Sequence, residues 1–343
     1  MNRYFSTFIT GFQEVVETEL KKLLPEVKIL RLLDGLVIYE TTALIQDIQK
    51  LRFINNSYIW LSQSIYNEGQ KPEQVIETLL RMSDFTRSRE ATSLKFVKFF
   101  RVIVSKENET IAIDRKLLEK TEGKIFYSTH LKVHRTLPDI EYWFIFRKEG
   151  ISLFGARITP LGKEATRKYE KGELRQELAN LLVLLSDPKK EDAVLDPFAG
   201  SGAIVLERVQ TFPYTKMYAS DMKEDLIDDL QRKTKWGQQK IFVEKRDALN
   251  LDNLENNSIN KIITDPPWGI YEKPQEDMID FYKKIFLEFQ RILTQDGTIV
   301  ILVGRDSGFD KVLSESKFTQ IQKIDILVSG QKASVYKIEK NIY

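Results

Sequence analysis

From residue 193 to residue 303, short apolar runs alternate with stretches whose apolar residues recur at helical spacing. The runs Ala193–Asp196, Met217–Ser220, Ile241–Lys245, Lys261–Thr264 and Thr298–Val303 read as strands. Helices fall between them, for example over Asp225–Trp236 and Phe281–Leu293. Strands separated by helices can pair only through crossovers, so they build a parallel sheet covered on both faces. Two further strands, Thr319–Leu327 and Ala333–Ile338, are joined by Ser329–Lys332, too short for a crossover, and must form an antiparallel hairpin. The expectation is a Rossmann-like α/β sheet of seven strands, with a ligand at the carboxyl ends of its parallel strands.

Those strand ends carry unusual residues. Asp196, Pro197, Phe198, Ala199, Gly200, Ser201 and Gly202 follow the first strand and lead into a helix. Gly200 and Gly202 allow close approach of the backbone to a ligand, and the helix start offers free N–H groups. No Gly-Lys-Ser/Thr follows, which excludes a phosphate loop, and Val205 stands where a third dinucleotide-binding glycine would be. Asp221 ends the second strand, where a carboxylate can take both hydroxyls of a ribose. Asp247 and Ala248 end the third, where Asp247 can hold an adenine amine. Such a pocket suits an adenosine attached to a group without phosphate, which fits S-adenosylmethionine.

The fourth strand ends in Asp265, Pro266, Pro267, Trp268 and Gly269. Two prolines stiffen the turn and remove two N–H groups, leaving carbonyls to face a cavity. An exocyclic base amine offers two N–H donors beside a π face. The Asp265 carboxylate and the Pro266 carbonyl can accept them while Trp268 stacks on the ring. Accepting those bonds frees the nitrogen lone pair for in-line attack on a sulfonium methyl.

The first half reads differently. Short strands and helices mix in an α+β pattern, with a helix expected over Thr42–Ile54 and hairpins around Asp34-Gly35 and Glu149-Gly150. The whole chain carries Lys+Arg 52 and Asp+Glu 50, a net of +2. Residues 1–165 hold 25 basic against 21 acidic side chains, and residues 166–343 hold 27 against 29. Within the first half Arg87, Arg89, Lys95, Lys98 and Arg101 are interleaved with Phe85, Phe96, Phe99 and Phe100. A basic stripe with aromatics suits an RNA backbone with stacked bases, and the alternative is buried phenylalanines beneath a solvated charged face. There is no cysteine, and His130 and His134 are the two histidines, so neither a disulfide framework nor a thiolate or histidine-rich metal centre is expected. No basic-then-apolar leader and no span-length apolar run is apparent, which suggests a soluble, cytoplasmic protein.

Asp196–Ala203 together with Asp265–Gly269 resembles the motif pair of amino-group methyltransferases that act on nucleic-acid bases. Arg167, Tyr169, Gly172, Leu174, Leu178 and Ala179 resemble the stretch before the cofactor loop in THUMP-domain RNA methyltransferases. The first half is similar to their ferredoxin-like plus THUMP arrangement, including Phe100-Arg101-Val102 and Pro138-Asp139. The Asp-Pro-Pro-aromatic-Gly form looks most like the tRNA guanine-N2 methyltransferases. Tryptophan stands where tyrosine is commoner, and Glu173-Leu174-Arg175 lacks the proline usual there.

The resemblance implies a ferredoxin-like domain at 1–55, a THUMP-like RNA-binding domain at 56–157, a linker at 158–175 and a class I methyltransferase domain at 176–343. It implies methylation of a guanine N2 in tRNA or another structured RNA by a monomer or weak dimer, with S-adenosylmethionine as cofactor and neither metal nor membrane involved. Ribosomal RNA guanine, adenine in DNA, and an inactive RNA-binding homologue are the alternatives.

Overall fold

The computed structural model describes residues 1–67, 69–88, 97–161, 173–237, 239–269 and 277–341. The chain divides into two compact units, one of Met1–Phe8 with Val16–Arg167, the other of Ile9–Val15 with Lys168–Tyr343.

The first unit is built on one nine-stranded sheet. Its strands are β1 (Asn2–Thr7), β2 (Lys28–Leu33), β3 (Leu36–Thr41), β4 (Asn56–Ile65), β5 (Phe99–Lys106), β6 (Glu109–Thr110), β7 (Lys132–Val133), β8 (Ile140–Arg147) and β9 (Ile151–Arg157). They run in the order β2-β3-β1-β4-β9-β8-β5-β6, with β7 beside β5. Helices α1 (Gln13–Leu23), α2 (Ile45–Ile48), α3 (Pro72–Met82) and α4 (Arg115–Thr129) punctuate the strands. Residue 55 lies between β3 and β4, which both pair with β1, so the sheet continues across it. The helix expected over Thr42–Ile54 shrinks to the single turn of α2. Ala43, Ile45, Ile48, Leu51, Phe53 and Ile54 are all buried nonetheless. Their spacing reflects a loop pressed into the core and not a helical face.

The second unit has the expected seven strands: β10 (Ala193–Asp196), β11 (Lys216–Asp221), β12 (Ile241–Lys245), β13 (Ile259–Thr264), β14 (Leu293–Gly304), β15 (Phe318–Val328) and β16 (Gln331–Lys340). Their order is β12-β11-β10-β13-β14-β16-β15. The first five are mutually parallel, and β16 enters antiparallel between β14 and β15. Helices α5 (Gln176–Leu185), α6 (Ala203–Thr211), α7 (Glu224–Thr234), α8 (Met278–Ile292) and α9 (Phe309–Ser314) complete the unit. Helix α8 buries Phe281, Tyr282, Ile285, Phe286, Phe289 and Ile292, a stripe at three- and four-residue spacing. Each such side chain contributes on the order of 2 kcal/mol of transfer free energy. Strand β14 starts five residues before the expected Thr298, directly where α8 stops, with Leu293 paired to Ile259. Among the described residues no helix is long and apolar enough to cross a membrane.

At the amino end of β10 an ion pair is buried. The Arg208 side chain is 0% exposed and donates to the Asp192 carboxylate at 3.2 Å. The same guanidinium donates to the carbonyls of Phe212, Pro213 and Lys189 at 2.8, 3.0 and 3.0 Å. It therefore ties the end of α6 to the start of β10. Removing the cation strands a buried carboxylate and three carbonyls, so Arg208→Met should cost about 3–5 kcal/mol. Urea denaturation reads this directly, and a loss below about 1 kcal/mol would show that the pair does not hold the fold.

Candidate active site

Asp196, at the end of β10, is 1% exposed. Its Oδ1 accepts from the Thr264 hydroxyl at 2.8 Å and from the Phe198 N–H at 3.2 Å. Pro197 and Phe198 then turn the chain, and the Ala199 N–H donates to the Ser220 carbonyl at 2.9 Å. Gly200 and Gly202 both have left-handed φ values, +50° and +88°. A Cβ on Gly202 would lie 2.4 Å from Leu230 Cδ1, whereas one on Gly200 would meet nothing within 4 Å. Gly202 is thus needed for packing, and Gly200 faces open space at the start of a helix with no side-chain cap. The Ser201 carbonyl is held by Lys233 Nζ at 3.2 Å.

Asp221 braces this loop. Its Oδ2 accepts the Gly200 N–H at 2.9 Å and its Oδ1 the Lys223 N–H at 3.0 Å. Each oxygen keeps a lone pair for a further donor. Asp247 folds back on its own turn, accepting the Leu249 N–H at 2.9 Å, with Ala248 buried beside it. Four strand ends thus bring Asp196, Asp221, Asp247 and Asp265 to the carboxyl edge of one sheet.

At the end of β13, Trp268 Nε1 donates to Asp265 Oδ1 at 2.7 Å. The Pro267 carbonyl accepts the Tyr282 hydroxyl at 3.0 Å, while no hydrogen bond among the described residues engages the Pro266 carbonyl. A Cβ on Gly304 would come within 3.1 Å of Trp268 Cβ, so β14 closes the back of the tryptophan. Burial pushes the Asp265 carboxyl up to about 8, against the Trp268 hydrogen bond, and the nearby Asp196 charge raises it further. Burial pushes Asp196 to about 7, opposed by its bonds from Thr264 and Phe198. Perturbed carboxyls at strand ends are a mark of a functional site. Thr264, Tyr282 and Gly304 carry no mark of a role in the sequence alone. Tyr282 and Gly304 lie far from Asp265 along the chain, and no local pattern singles them out.

The basic stripe in the first unit is less uniform than its spacing implied. Arg89 and Lys95, with Phe96, lie outside the described residues, as do Arg167, Tyr169 and Gly172. Lys98 is exposed, while Phe85 and Phe100 are core residues. Arg101 pairs with Glu141, a carboxylate with 0% side-chain exposure that also accepts Trp143 Nε1 at 2.8 Å and Arg157 Nη1 at 2.9 Å. Arg101 therefore neutralises a buried charge. Arg87 is half-buried, and its Nη2 has no hydrogen-bond partner among the described residues.

A parallel sheet finished by an antiparallel strand, with a glycine loop and an Asp-Pro-Pro turn at adjacent strand ends, defines a class I methyltransferase. The family described as UPF0020, RMKL-like methyltransferase domain, matches residues 164–333. A probable tRNA (guanine(10)-N2)-dimethyltransferase of Methanothermococcus thermolithotrophicus is 30% identical over 43% of this chain and 91% of its own length. The chain belongs to this methyltransferase family. The U6 snRNA (guanine-N(2))-methyltransferase THUMPD2 of Homo sapiens is 33% identical over 47% of this chain, and the match takes in 31% of that protein. The tRNA (guanine(6)-N2)-methyltransferase of Thermus thermophilus is 26% identical over 47% of this chain, a match spanning 49% of that enzyme. In overall fold the chain resembles the crystal structure of TrmN from Thermus thermophilus, with TM-score 0.77 and 20% identity over 99% of this chain and 100% of that one.

The contrast between the two glycines is testable. Gly202→Ala meets both the left-handed backbone and Leu230, and should cost about 2–4 kcal/mol in thermal or urea unfolding. Gly200→Ala meets only the backbone strain of about 1–2 kcal/mol. Equal losses for the two variants would contradict the open space beside Gly200.

Proposed function

We propose that this chain transfers a methyl group from S-adenosylmethionine to the exocyclic N2 of a guanine in tRNA, in the cytoplasm. The observation that carries the reading is the Asp265–Trp268 turn, set one hydrogen bond away from the glycine loop through Thr264 and Asp196. The residues present fit the cofactor. Gly200 leaves room above an uncapped helix start, Asp221 keeps lone pairs for ribose hydroxyls, and Asp247 with Ala248 lies where an adenine edge would be read. Bound there, the cofactor supplies an electrophilic methyl on a cationic sulfur.

The chain's residues handle the amine. With Oδ1 committed to Trp268, Asp265 has Oδ2 left, and the Pro266 carbonyl is a second acceptor. Two acceptors match the two N–H groups of a primary aromatic amine. Transfer would break the sulfur–methyl bond, leaving a neutral thioether, and the nitrogen that gains the methyl would become acidic and must lose a proton. Once ionised, a carboxyl held near 8 is a strong enough acceptor for it, and its ionised fraction grows as the pH rises toward 8. Trp268 and the prolines exclude water and limit the orientations of the base. In the first unit Arg87, Arg89, Lys95 and Lys98 are proposed to meet RNA phosphates. Arg101 is left out of that set because it serves Glu141.

Radiolabelled methyl transfer onto total tRNA and rRNA, followed by nucleoside identification, tests the substrate. N2-methylguanosine in tRNA is expected; label confined to rRNA or other RNA would move the substrate, and no label on any RNA would overturn the activity. In RNA-binding titrations over a range of salt, alanine at Arg87, Arg89, Lys95 and Lys98 should lower the salt slope by up to about 0.9 for each phosphate left without its cation.

Because Asp265 must be charged to accept fully, kcat/KM should rise with pH along a limb near 8 in the free enzyme. Asp265→Ala should lose at least about 100-fold in kcat while cofactor affinity holds within a few-fold. Asp265→Asn cannot titrate, so it should lack the limb; a limb that persists assigns it to another group.

A further inference from the structure

We propose that Tyr282 is a positioning residue for the reaction: its hydroxyl on the Pro267 carbonyl fixes the Asp265–Trp268 hydrogen bond, and so decides which carboxylate oxygen faces the amine. The inference rests on the function proposed above and names a residue outside the Asp-Pro-Pro turn. Tyr282 is 0% exposed, on the buried face of α8. Its ring is held by Phe281 at 5.7 Å and by Phe309 edge-on at 5.3 Å and 87°. Burial pushes its hydroxyl well above the ordinary tyrosine range, so it stays protonated and acts as a donor.

That donor meets the carbonyl of the residue directly before Trp268, at 3.0 Å. Two proline rings fix most of the turn, but the peptide that aims Trp268 has one acceptor facing the core, and Tyr282 holds it. Trp268 in turn donates to Asp265 Oδ1 at 2.7 Å. Without the Tyr282 hydroxyl, the Pro267 carbonyl would be left without its partner and the indole could lean away from the carboxylate. The Ser307 hydroxyl bears on the Tyr282 hydroxyl and opposes the effect of burial there, although it makes no well-formed hydrogen bond among the described residues. The ionisable groups that bear on Asp265 among the described residues are Asp196 at the end of β10 and Tyr282 itself.

The test follows the indole. The protein has four tryptophans, and Trp268→Phe identifies the Trp268 indole N–H resonance in tryptophan-labelled protein. In the wild type that resonance should titrate with Asp265. In Tyr282→Phe, which keeps the ring, the inflection should move to higher pH because the donor that favours charged Asp265 is loosened. Indole proton exchange should be about tenfold faster. On transferable RNA, kcat should fall about tenfold with KM for S-adenosylmethionine unchanged. Phe309→Leu serves as the packing control: it weakens the support of the ring but keeps the hydroxyl, and should lower the melting temperature without moving the inflection.

An inflection and exchange rate in Tyr282→Phe within about twofold of the wild type would overturn the assignment. So would an equal shift in Phe309→Leu. Failure of the wild type to methylate any RNA would overturn the proposed function, while the indole titration would still decide the role of Tyr282.

Discussion

The Thr264 hydroxyl donates to the Asp196 carboxyl across neighbouring strand ends, and the rest of the site is arranged around that bond. Strand β10 lies between β11 and β13, where successive connections leave in opposite directions and the sheet opens a crevice. Both partners are buried, so each would carry the desolvation cost of a missing hydrogen bond, about 1–3 kcal/mol. The residue after Asp196 begins the glycine loop, and the residue after Thr264 is Asp265. A shift in one loop is therefore passed to the other through a joint of two side chains. Asp221 extends the joint by bracing Gly200 from the far side.

The electrostatics of the crevice follow from the same geometry. The Asp196 charge opposes ionisation of Asp265, the Asp221 charge opposes that of Asp196, and neither Asp196 nor Asp265 has a cation among its described partners. Both carboxyls hold protons to higher pH than ordinary aspartates. Above about 8 the crevice gathers negative charge, which suits a cationic methyl donor and amine donors on a base.

Much of this is legible in the residues because parallel strands buried on both faces leave long apolar runs that only a covered sheet explains. The Asp-Pro-Pro-Trp and glycine-loop segments stand out because backbone chemistry alone makes them unusual. Residues that act through space do not. Tyr282 is one member of an apolar stripe on α8, and nothing in that stripe distinguishes a donor from a filler. Arg101 looks like part of a phosphate-facing row, yet strand alternation sends Phe100 inward and leaves Arg101 beside the Glu141 opposite it on β8. The loop around Ala43–Ile54 imitates a helix because core packing, not backbone hydrogen bonding, sets its apolar spacing.

Strand β10 is four residues long and is bounded by two buried aspartates with opposite circumstances. Asp192 is matched by a guanidinium at one end, and Asp196 lies without one among the described residues at the other, about 13 Å away at 3.3 Å per residue. The strand thus separates an anchored pole from a reactive one. Substitutions near Arg208 can alter how long the unit survives with little leverage on its chemistry, while the crevice can be remodelled for a different methyl acceptor without loosening the anchor. Durability and specificity are free to drift independently in such a chain.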